Sequence, residues 1–190
     1  MNETSGSATD WVTDAQGAGP AAPPAFYGKY RGTVVNNIDP LQLGRIQVFV
    51  PDVGALLPTT WALPCVPVAG KFSGTWFLPQ VGAGVWVEFE GGDPQDPVWV
   101  GCFWGTAAEV PSAAKDGLPV SPSIVLQTGA QHSIVISDVP GPTGGITISS
   151  LTGAKIVVND VGITIDNGKG ASIELLGPVV SINKPALVVQ

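Results

Sequence analysis

Charged residues are scarce in this sequence, at 12% of 190 residues against about 25% in an average soluble domain. The cations are also scattered: Lys29, Arg31, Arg45 and Lys71 are separated along the first half of the chain. Nucleic-acid binding requires a basic face that neutralises phosphates. The sparse cations and the net charge of −7 therefore argue against a nucleic-acid-binding protein.

Cysteine and histidine are nearly absent, with two residues of the first and one of the second. Two cysteines are too few for a structural zinc site. Because Cys65 and Cys102 lie in apolar, strand-like stretches, we expect buried thiols rather than a disulfide. Three copies of His132 could meet in a trimer to bind a metal, but a lone histidine is more often a turn or interface residue. We expect no metal, no cofactor and no catalytic residue.

Long hydrophobic runs are missing as well. No run of about 18 apolar residues occurs, and the N-terminal stretch MNETSGSATD has neither the basic nor the apolar region of a secretory signal. We expect a chain made in the cytoplasm without a signal peptide or a membrane span. Residues 1–25 are small, polar and proline-rich, which predicts a flexible arm with Trp11 and Val12 as its anchors.

What the sequence does contain is apolar residues, at 44%, divided by 25 glycines and 18 prolines. This composition favours an all-β protein. Between residues 26 and 107, five strand-like runs occur: KYRGTVV, GRIQVFV, TTWALPCVPV, GVWVEFE and PVWVGCFW. Two of them alternate apolar and other residues with period two, which predicts one buried face per strand. Five antiparallel strands in about 80 residues predict an OB-fold barrel over 26–107, and residues 108–123 read as a linker or neck.

Residues 124–190 repeat one motif, two apolar residues separated by a single residue and followed by a turn. The pairs are Ile124/Leu126, Ile134/Ile136, Ile146/Ile148, Ile156/Val158, Ile163/Ile165, Ile173/Leu175, Val180/Ile182 and Leu187/Val189. The intervening residue is often polar, as at Thr147, Thr164, Glu174 and Ser181. The pairs should therefore point to one face of each strand and these polar residues to the other.

Eight short strands would complete fewer than three coils of a single-chain β-helix, so one chain buries this apolar stripe poorly. Three chains around one axis would bury it, at about 1.5 to 3 kcal/mol per side chain. We therefore expect an intertwined trimeric β-helix needle over 124–190, with hydrogen bonds between strands of neighbouring chains and glycines, among them Gly145 and Gly162, at corners that favour a positive φ. Its predicted core is Ile134, Ile136, Ile146, Ile148, Ile156, Val158, Ile163, Ile165, Ile173, Leu175, Val180 and Ile182.

The order of motifs resembles the central spike, or baseplate assembly protein V, family of contractile phage tails and injection systems, which is related to the spike of type VI secretion. The resemblance covers residues 26–190. It lies in GKYRGTVVNNIDPLQLGRIQVFVPDV, WALPCVPVAG and FLPQVGAGVWVEFEGGDPQDPVWVGCFW, followed by TGAQHSIVISDVPGPTGGITISSLTGAKIVVNDVGITI. It implies an OB domain under a trimeric hub, a neck, and a needle that leads the contracting tube through the target envelope.

The roles that the resemblance implies are architectural. Two turns match the family's turns around a barrel strand and are expected to face the hub, through Leu78, Pro79, Gly82, Gly91, Asp93 and Pro94. The chain departs from some relatives because residues 106–123 are too short for a lysozyme domain and no His-x-His motif stands at the C-terminus. The resemblance therefore implies a blunt tip, which a small proline-alanine-alanine-arginine repeat protein would cap through Pro185, Leu187, Val189 and Gln190.

We therefore expect a non-enzymatic homotrimeric spike in a virion tail baseplate or an assembled injection particle. Two alternatives remain open. One is a β-helical polysaccharide-degrading enzyme with an OB accessory domain, in which carboxylates such as Asp160, Asp166 and Glu174 would form an acid pair. The other is an OB-fold binder of single-stranded nucleic acid that stacks bases on its tryptophans.

Overall fold

The computed structural model describes residues 24–54, 57–115, 123–184 and 186–189. These residues form β-strands and short 3-10 turns, so the all-β prediction is confirmed. The chain divides into two compact units between Phe103 and Trp104. No helix in the described ranges has the length and apolarity needed to span a membrane.

The described residues of the first unit form seven strands. They are β1 (Tyr30–Asn36), β2 (Gln47–Phe49), β3 (Leu63–Pro64), β4 (Ala69–Gly70), β5 (Ser73–Gly74), β6 (Gly84–Phe89) and β7 (Pro97–Phe103). Five of them form one sheet in the order β2-β1-β6-β7-β3, and β4 and β5 form a separate small hairpin. The β3–β7 pair is parallel, so the prediction of five antiparallel strands is wrong for β3, and the other pairs are antiparallel. All five strand-like runs of the sequence thus supply a strand of this sheet.

The core of the first unit follows from the period-two alternation of the sequence. Its buried apolar side chains are Val34, Ile46, Val48, Val50, Ala62, Val85, Val87, Phe89 and Trp99. An antiparallel bridge between Ile46 and Ala62 joins the two edges of the sheet, just before β2 and β3 begin. The sheet therefore curls around its core and pairs backbone groups that an open edge would leave exposed.

Eight further strands lie in the part of the second unit that the structure describes. They are β8 (Ser123–Gln127), β9 (Ser133–Ser137), β10 (Gly145–Ser149), β11 (Lys155–Val158), β12 (Ile163–Asp166), β13 (Ser172–Leu176), β14 (Val179–Ile182) and β15 (Leu187–Val189). Each strand pairs with the next one along the chain, always antiparallel, in a single sheet.

This topology corrects one expectation. The hydrogen bonds between strands were predicted to join neighbouring chains, but the described ladders run within one chain. The physical reason is the short connections between strands. A chain that reverses after a few residues brings consecutive strands side by side, and closing a short loop costs little entropy.

The cysteines correct a second expectation. Cys65 and Cys102 are free, as predicted, but both are exposed rather than buried. Cys65 follows the two-residue strand β3, which ends before the residue is covered. Cys102 lies opposite buried Val85 near the end of β7, beyond a shift in the pairing register. Although the residue is exposed as a whole, partial burial of the Cys102 thiol raises its pKa above the ordinary value.

Candidate assembly surfaces

The β8–β15 sheet presents its repeated pairs on a single face. Cross-strand partners point to the same side of a sheet, as do residues two apart on one strand. One column of partners is Ile124, Ile136, Ile146, Val158, Ile163, Leu175, Val180 and Val189, and the second is Leu126, Ile134, Ile148, Ile156, Ile165, Ile173, Ile182 and Leu187. We call these two columns the apolar face.

The apolar face is uncovered in the single chain. Ten of the twelve predicted core residues, from Ile134 to Leu175, are 37–46% exposed, while Val180 and Ile182 are partly buried. Strands lie about 4.8 Å apart, so eight of them place this face along roughly 34 Å. A contiguous apolar patch of this size marks an interaction surface. The structure thus brings the predicted core residues together on one face, although it does not show what covers them.

The opposite face has a different chemistry. Its central column begins with Val125, Val135, Thr147 and Val157 and continues with Thr164, Glu174 and Ser181. Beside this column the hydroxyls of Ser133 and Ser149 lie 2.8 Å apart. The four polar residues that were predicted to point away from the apolar pairs all lie on this face. We call this side the polar face: valines occupy its central column on β8, β9 and β11, but the residues on β12, β13 and β14 are polar and suit contact with water.

Close backbone approaches explain two of the glycines in this sheet. A Cβ on Gly145, whose φ is 82°, would lie 2.1 Å from the carbonyl oxygen of Val158. A Cβ on Gly162 would lie 2.1 Å from the carbonyl oxygen of Leu175, although the φ of Gly162 is not positive. Gly162 was expected at a corner that needs a positive φ. The structure gives a different reason, which is lack of space.

The residues predicted to face the hub lie in two separate turns. Leu78, Pro79 and Gly82 precede β6, and Gly91, Asp93 and Pro94 follow it. The first turn is therefore at the end of the sheet where Gly84 pairs with Phe103, the last residue of β7. The second turn is at the opposite end, where Phe89 pairs with Pro97. The structure does not bring the two turns onto one surface.

The predicted tip residues are described only in part. Leu187 and Val189 lie on β15, and both side chains are more than half exposed. Pro185 and Gln190 lie outside the described residues, as do residues 1–23 of the arm and 116–122 of the linker. The role of this end of the chain as a docking site for a cap stays a prediction.

Of the polar residues weighed for chemistry, His132, Asp160 and Asp166 lie in or near turns of the second unit, whereas Glu174 lies in the middle of β13. His132 is exposed in the β8–β9 turn, where its backbone N–H donates to the Thr128 hydroxyl. Asp160 accepts a hydrogen bond from the Gly141 N–H, and Asp166 accepts one from the Gly168 N–H. These contacts stabilise turns. Across the ranges that the structure describes, no three histidine, cysteine or acidic side chains gather in a way that could hold a metal ion.

An ion pair between a buried aspartate and a partly buried arginine in the first unit was missed by the sequence reasoning. The carboxylate of Asp39 accepts hydrogen bonds from the Arg45 guanidinium at 2.7 and 3.1 Å, and from the backbone N–H groups of Leu41, Leu43 and Arg45. The guanidinium lies 5.5 Å from the centre of the Trp61 ring. The Arg45 hydrogen bonds, with the backbone donors, hold the pKa of the Asp39 carboxyl well below its usual range. The pair fixes the loop between β1 and β2.

An exposed arginine packs against aromatic rings on the outer side of the same sheet. The Arg31 guanidinium lies 5.1 Å from the centre of the Trp86 ring and 5.0 Å from that of Phe103. The two rings are themselves 5.1 Å apart. Among the tryptophans, Trp99 is buried and donates through Nε1 to the Gly44 carbonyl oxygen, while Trp76 and Trp104 are largely exposed. Trp61 and Trp86 are partly buried, so two of the five tryptophans that the structure describes are largely exposed.

Comparisons with known proteins agree with this division into two units. Residues 30–104 match the family described as the type VI secretion system/phage-baseplate injector OB domain. Residues 123–188 match the phage baseplate V C-terminal trimerisation domain. Neither description names an enzyme. No curated protein matches the chain.

Proposed function

Since the chain belongs to the phage baseplate V family, whose injector OB domain and trimerisation domain it contains in that order, we propose that it is the central spike of a contractile tail or injection machine. Its structural role in a baseplate follows from the family. The proposal adds that the trimer forms a needle, that the OB unit docks under a hub, and that the needle punctures the target envelope when the sheath contracts.

The observation that carries the proposal is the uncovered apolar face. Each strand contributes two apolar side chains to it, so three chains around one axis would place six in every layer. Complete burial is worth about 1.5 to 3 kcal/mol per aliphatic side chain, and part of this is still unrealised when a side chain is about 40% exposed. Three such sheets, each held together by backbone hydrogen bonds within its own chain, would form the walls of a rigid prism.

The proposed prism requires no hydrogen bonds between chains, because each sheet already pairs its own strands. The polar face, with Thr164, Glu174 and Ser181, would then meet solvent. Axial load would be carried along the stacked strands, whose ladders run parallel to the long direction of the sheet. This arrangement supports a mechanical role, in which the spike concentrates force on a narrow tip.

The register of the OB sheet suggests which turn meets the hub. The chain leaves this unit after Phe103, which pairs with Gly84 next to the Leu78–Gly82 turn. We place the hub at the other end of the sheet, at the turn that contains Gly91, Asp93 and Pro94. The Asp93 side chain accepts a hydrogen bond from the Gln95 N–H, so the turn presents a fixed shape to a partner.

Two exposed turn residues test the hub contact in assembled particles. Asp93→Lys should yield particles that lack the spike, because the substitution reverses a charge in the proposed contact. Gln80→Lys, in the turn at the other end of β6, is the matched control and should leave the spike in place. Particles that keep the Asp93→Lys spike and lose the Gln80→Lys spike would place the hub at the other end of the sheet.

Electron microscopy of the purified full-length chain tests the needle. The proposal predicts uniform particles with a narrow rod, and substitution of the apolar face should abolish the rod. Round particles without a rod would overturn the proposal. Turnover of peptidoglycan by the pure protein, or salt-sensitive retention on single-stranded DNA, would favour the enzyme or nucleic-acid alternative instead.

A further inference from the structure

The first unit carries an apolar cavity that neither family description assigns. It has a volume of about 520 Å³ and lies beside the β4–β5 hairpin. We call it the aromatic cleft, after the large apolar side chains among its lining residues: Pro64, Val68, Phe72, Trp76, Phe77 and Trp99. The buried Trp99 forms part of its lining, and the Trp76 ring packs over the Gly44 backbone, 3.4 Å from the position of an added Cβ. The cleft is thus built on the core of the unit.

The rim of the aromatic cleft is unusually exposed for apolar side chains. Phe72 is 98% exposed, Trp76 and Phe77 are each 63% exposed, and Val68 is 57% exposed. Phe72 also has a φ of 59°, a backbone conformation that bulky residues rarely adopt. Exposed aromatic clusters of this kind are typical of surfaces that receive an apolar anchor from a binding segment.

A single cation stands at this rim. The Lys71 ammonium lies 5.6 Å from the centre of the Phe72 ring, in the turn between β4 and β5. It joins neither of the two ion pairs found among the residues that the structure describes. A ligand that combines a large apolar side chain with nearby carboxylates would therefore complement both the cleft and its rim.

The N-terminal arm has that composition. Residues 1–23 contain the acids Glu3, Asp10 and Asp14 and neither lysine nor arginine. Their only adjacent pair of large apolar residues is Trp11–Val12, which stands between two of these acids. We propose that the arm docks on the first unit, with Trp11 in the aromatic cleft and Asp10 or Asp14 beside Lys71.

The length of the arm permits this contact. The described chain enters the first unit at Phe26, whose backbone N–H donates to the Gly92 carbonyl oxygen at 2.8 Å. Phe26 follows Trp11 by fifteen positions, and an extended chain of that length spans up to about 50 Å. A domain of about 80 residues is roughly 30 Å across, so Trp11 can reach any point on its surface. The covalent link also gives the arm a millimolar effective concentration at the cleft.

Hydrogen exchange on the full-length protein tests the docking. Trp11→Ser should increase exchange about tenfold in the segment from Lys71 to Leu78, because removal of an aromatic anchor exposes the cleft. Thr13→Ser, in the same arm, is the matched control and should exchange like the wild type. A synthetic peptide of residues 7–16 should slow exchange again in Trp11→Ser, whereas a peptide carrying serine in place of the tryptophan should not.

A charge exchange separates the proposed contact from a general effect of the arm. Lys71→Glu should speed exchange in the same segment, and combining it with Asp10→Lys and Asp14→Lys should restore slow exchange. Slow exchange that persists in Trp11→Ser would mean that something other than Trp11 protects this segment, and would overturn the proposal. Fast exchange of this segment in the wild type would also overturn the proposal, because the cleft would then be uncovered. Neither result would bear on the trimer, whose apolar face is in the second unit.

Discussion

A charge on the apolar face should prevent assembly, whereas the same charge on the polar face should not. Ile163 and Thr164 are neighbours on β12 and point to opposite faces of the sheet, so Ile163→Lys and Thr164→Lys form a matched pair. Ile163 has Val158 and Leu175 as its cross-strand partners and is 37% exposed in the single chain. A trimer contains three copies of each substituted residue.

The magnitudes separate the two variants clearly. The exposed third of Ile163 is worth roughly 0.6 to 1.1 kcal/mol per chain, or about 2 to 3 kcal/mol per trimer, if full burial is worth 1.5 to 3 kcal/mol. Ile163→Ala should lose at least that amount. Ile163→Lys would also remove three ammonium groups from water. At several kcal/mol each, this desolvation costs more than about 10 kcal/mol per trimer. Thr164→Lys places its ammonium opposite Glu174 and should gain about 0.2 to 1 kcal/mol per chain.

Light scattering and denaturant titration of the three variants provide the assay. We expect Ile163→Lys to be monomeric or aggregated, Ile163→Ala to form trimers that dissociate at lower denaturant concentration, and Thr164→Lys to resemble the wild type. A trimer of normal resistance from Ile163→Lys would refute the assignment of the apolar face to the interior. Failure of Thr164→Lys alone would mean that the polar face is the buried one.

Three smaller predictions concern single contacts. Asp39 has a lowered pKa in the folded state, so its ion pair with Arg45 stabilises the first unit at pH values above the unfolded pKa of about 4. This stabilisation should fade as the pH falls below that value. Thermal melts of the wild type should show the loss, and melts of Asp39→Asn should lack this pH-dependent loss. Gly145→Ala should cost more than about 1 kcal/mol of stability, because its Cβ would meet the Val158 carbonyl oxygen; a denaturant midpoint equal to that of the wild type would contradict the close approach. Trp99→Phe should cost about 1 to 3 kcal/mol by leaving a buried carbonyl without its donor, and unchanged unfolding of the first unit would show that water replaces the indole.

Local periodicity was sufficient to predict most of the strands. Val85, Val87 and Phe89 alternate with Trp86 and Glu88, and the three apolar residues are buried as the period-two pattern requires. The repeated pairs of residues 124–190 likewise predicted one apolar face with polar residues behind it. A strand has only two faces, so a correct strand boundary fixes where every side chain points.

Features that depend on distant parts of the chain were not predictable in the same way. The bridge between Ile46 and Ala62 joins segments whose own sequences do not indicate each other. The exposure of Cys102 depends on its place near the end of β7, beyond a register shift, which an apolar run such as VGCF conceals. The turn residues between the strands of residues 124–190 indicated that the chain reverses there. The expectation that three chains intertwine nevertheless led to a prediction of pairing between chains.

The candidate assembly surfaces were predicted only where a local sequence pattern defines them. The apolar face is a local pattern and was found from the sequence, whereas the Asp39–Arg45 pair and the aromatic cleft are assembled by loops. A signal for the ion pair was present, since an aspartate that precedes Pro40 in a turn-rich loop is placed to accept backbone hydrogen bonds. No comparable signal distinguished Phe72 or Trp76 from core aromatics.

The apolar faces of three chains should cover one another, and the mass of the wild-type particle shows whether they do. Light scattering of the purified full-length chain should be measured without denaturant, at moderate denaturant and over a wide dilution range. We expect three times the mass of one chain under all of these conditions. A stable monomer would leave the apolar face exposed to water, and would rule out this assembly.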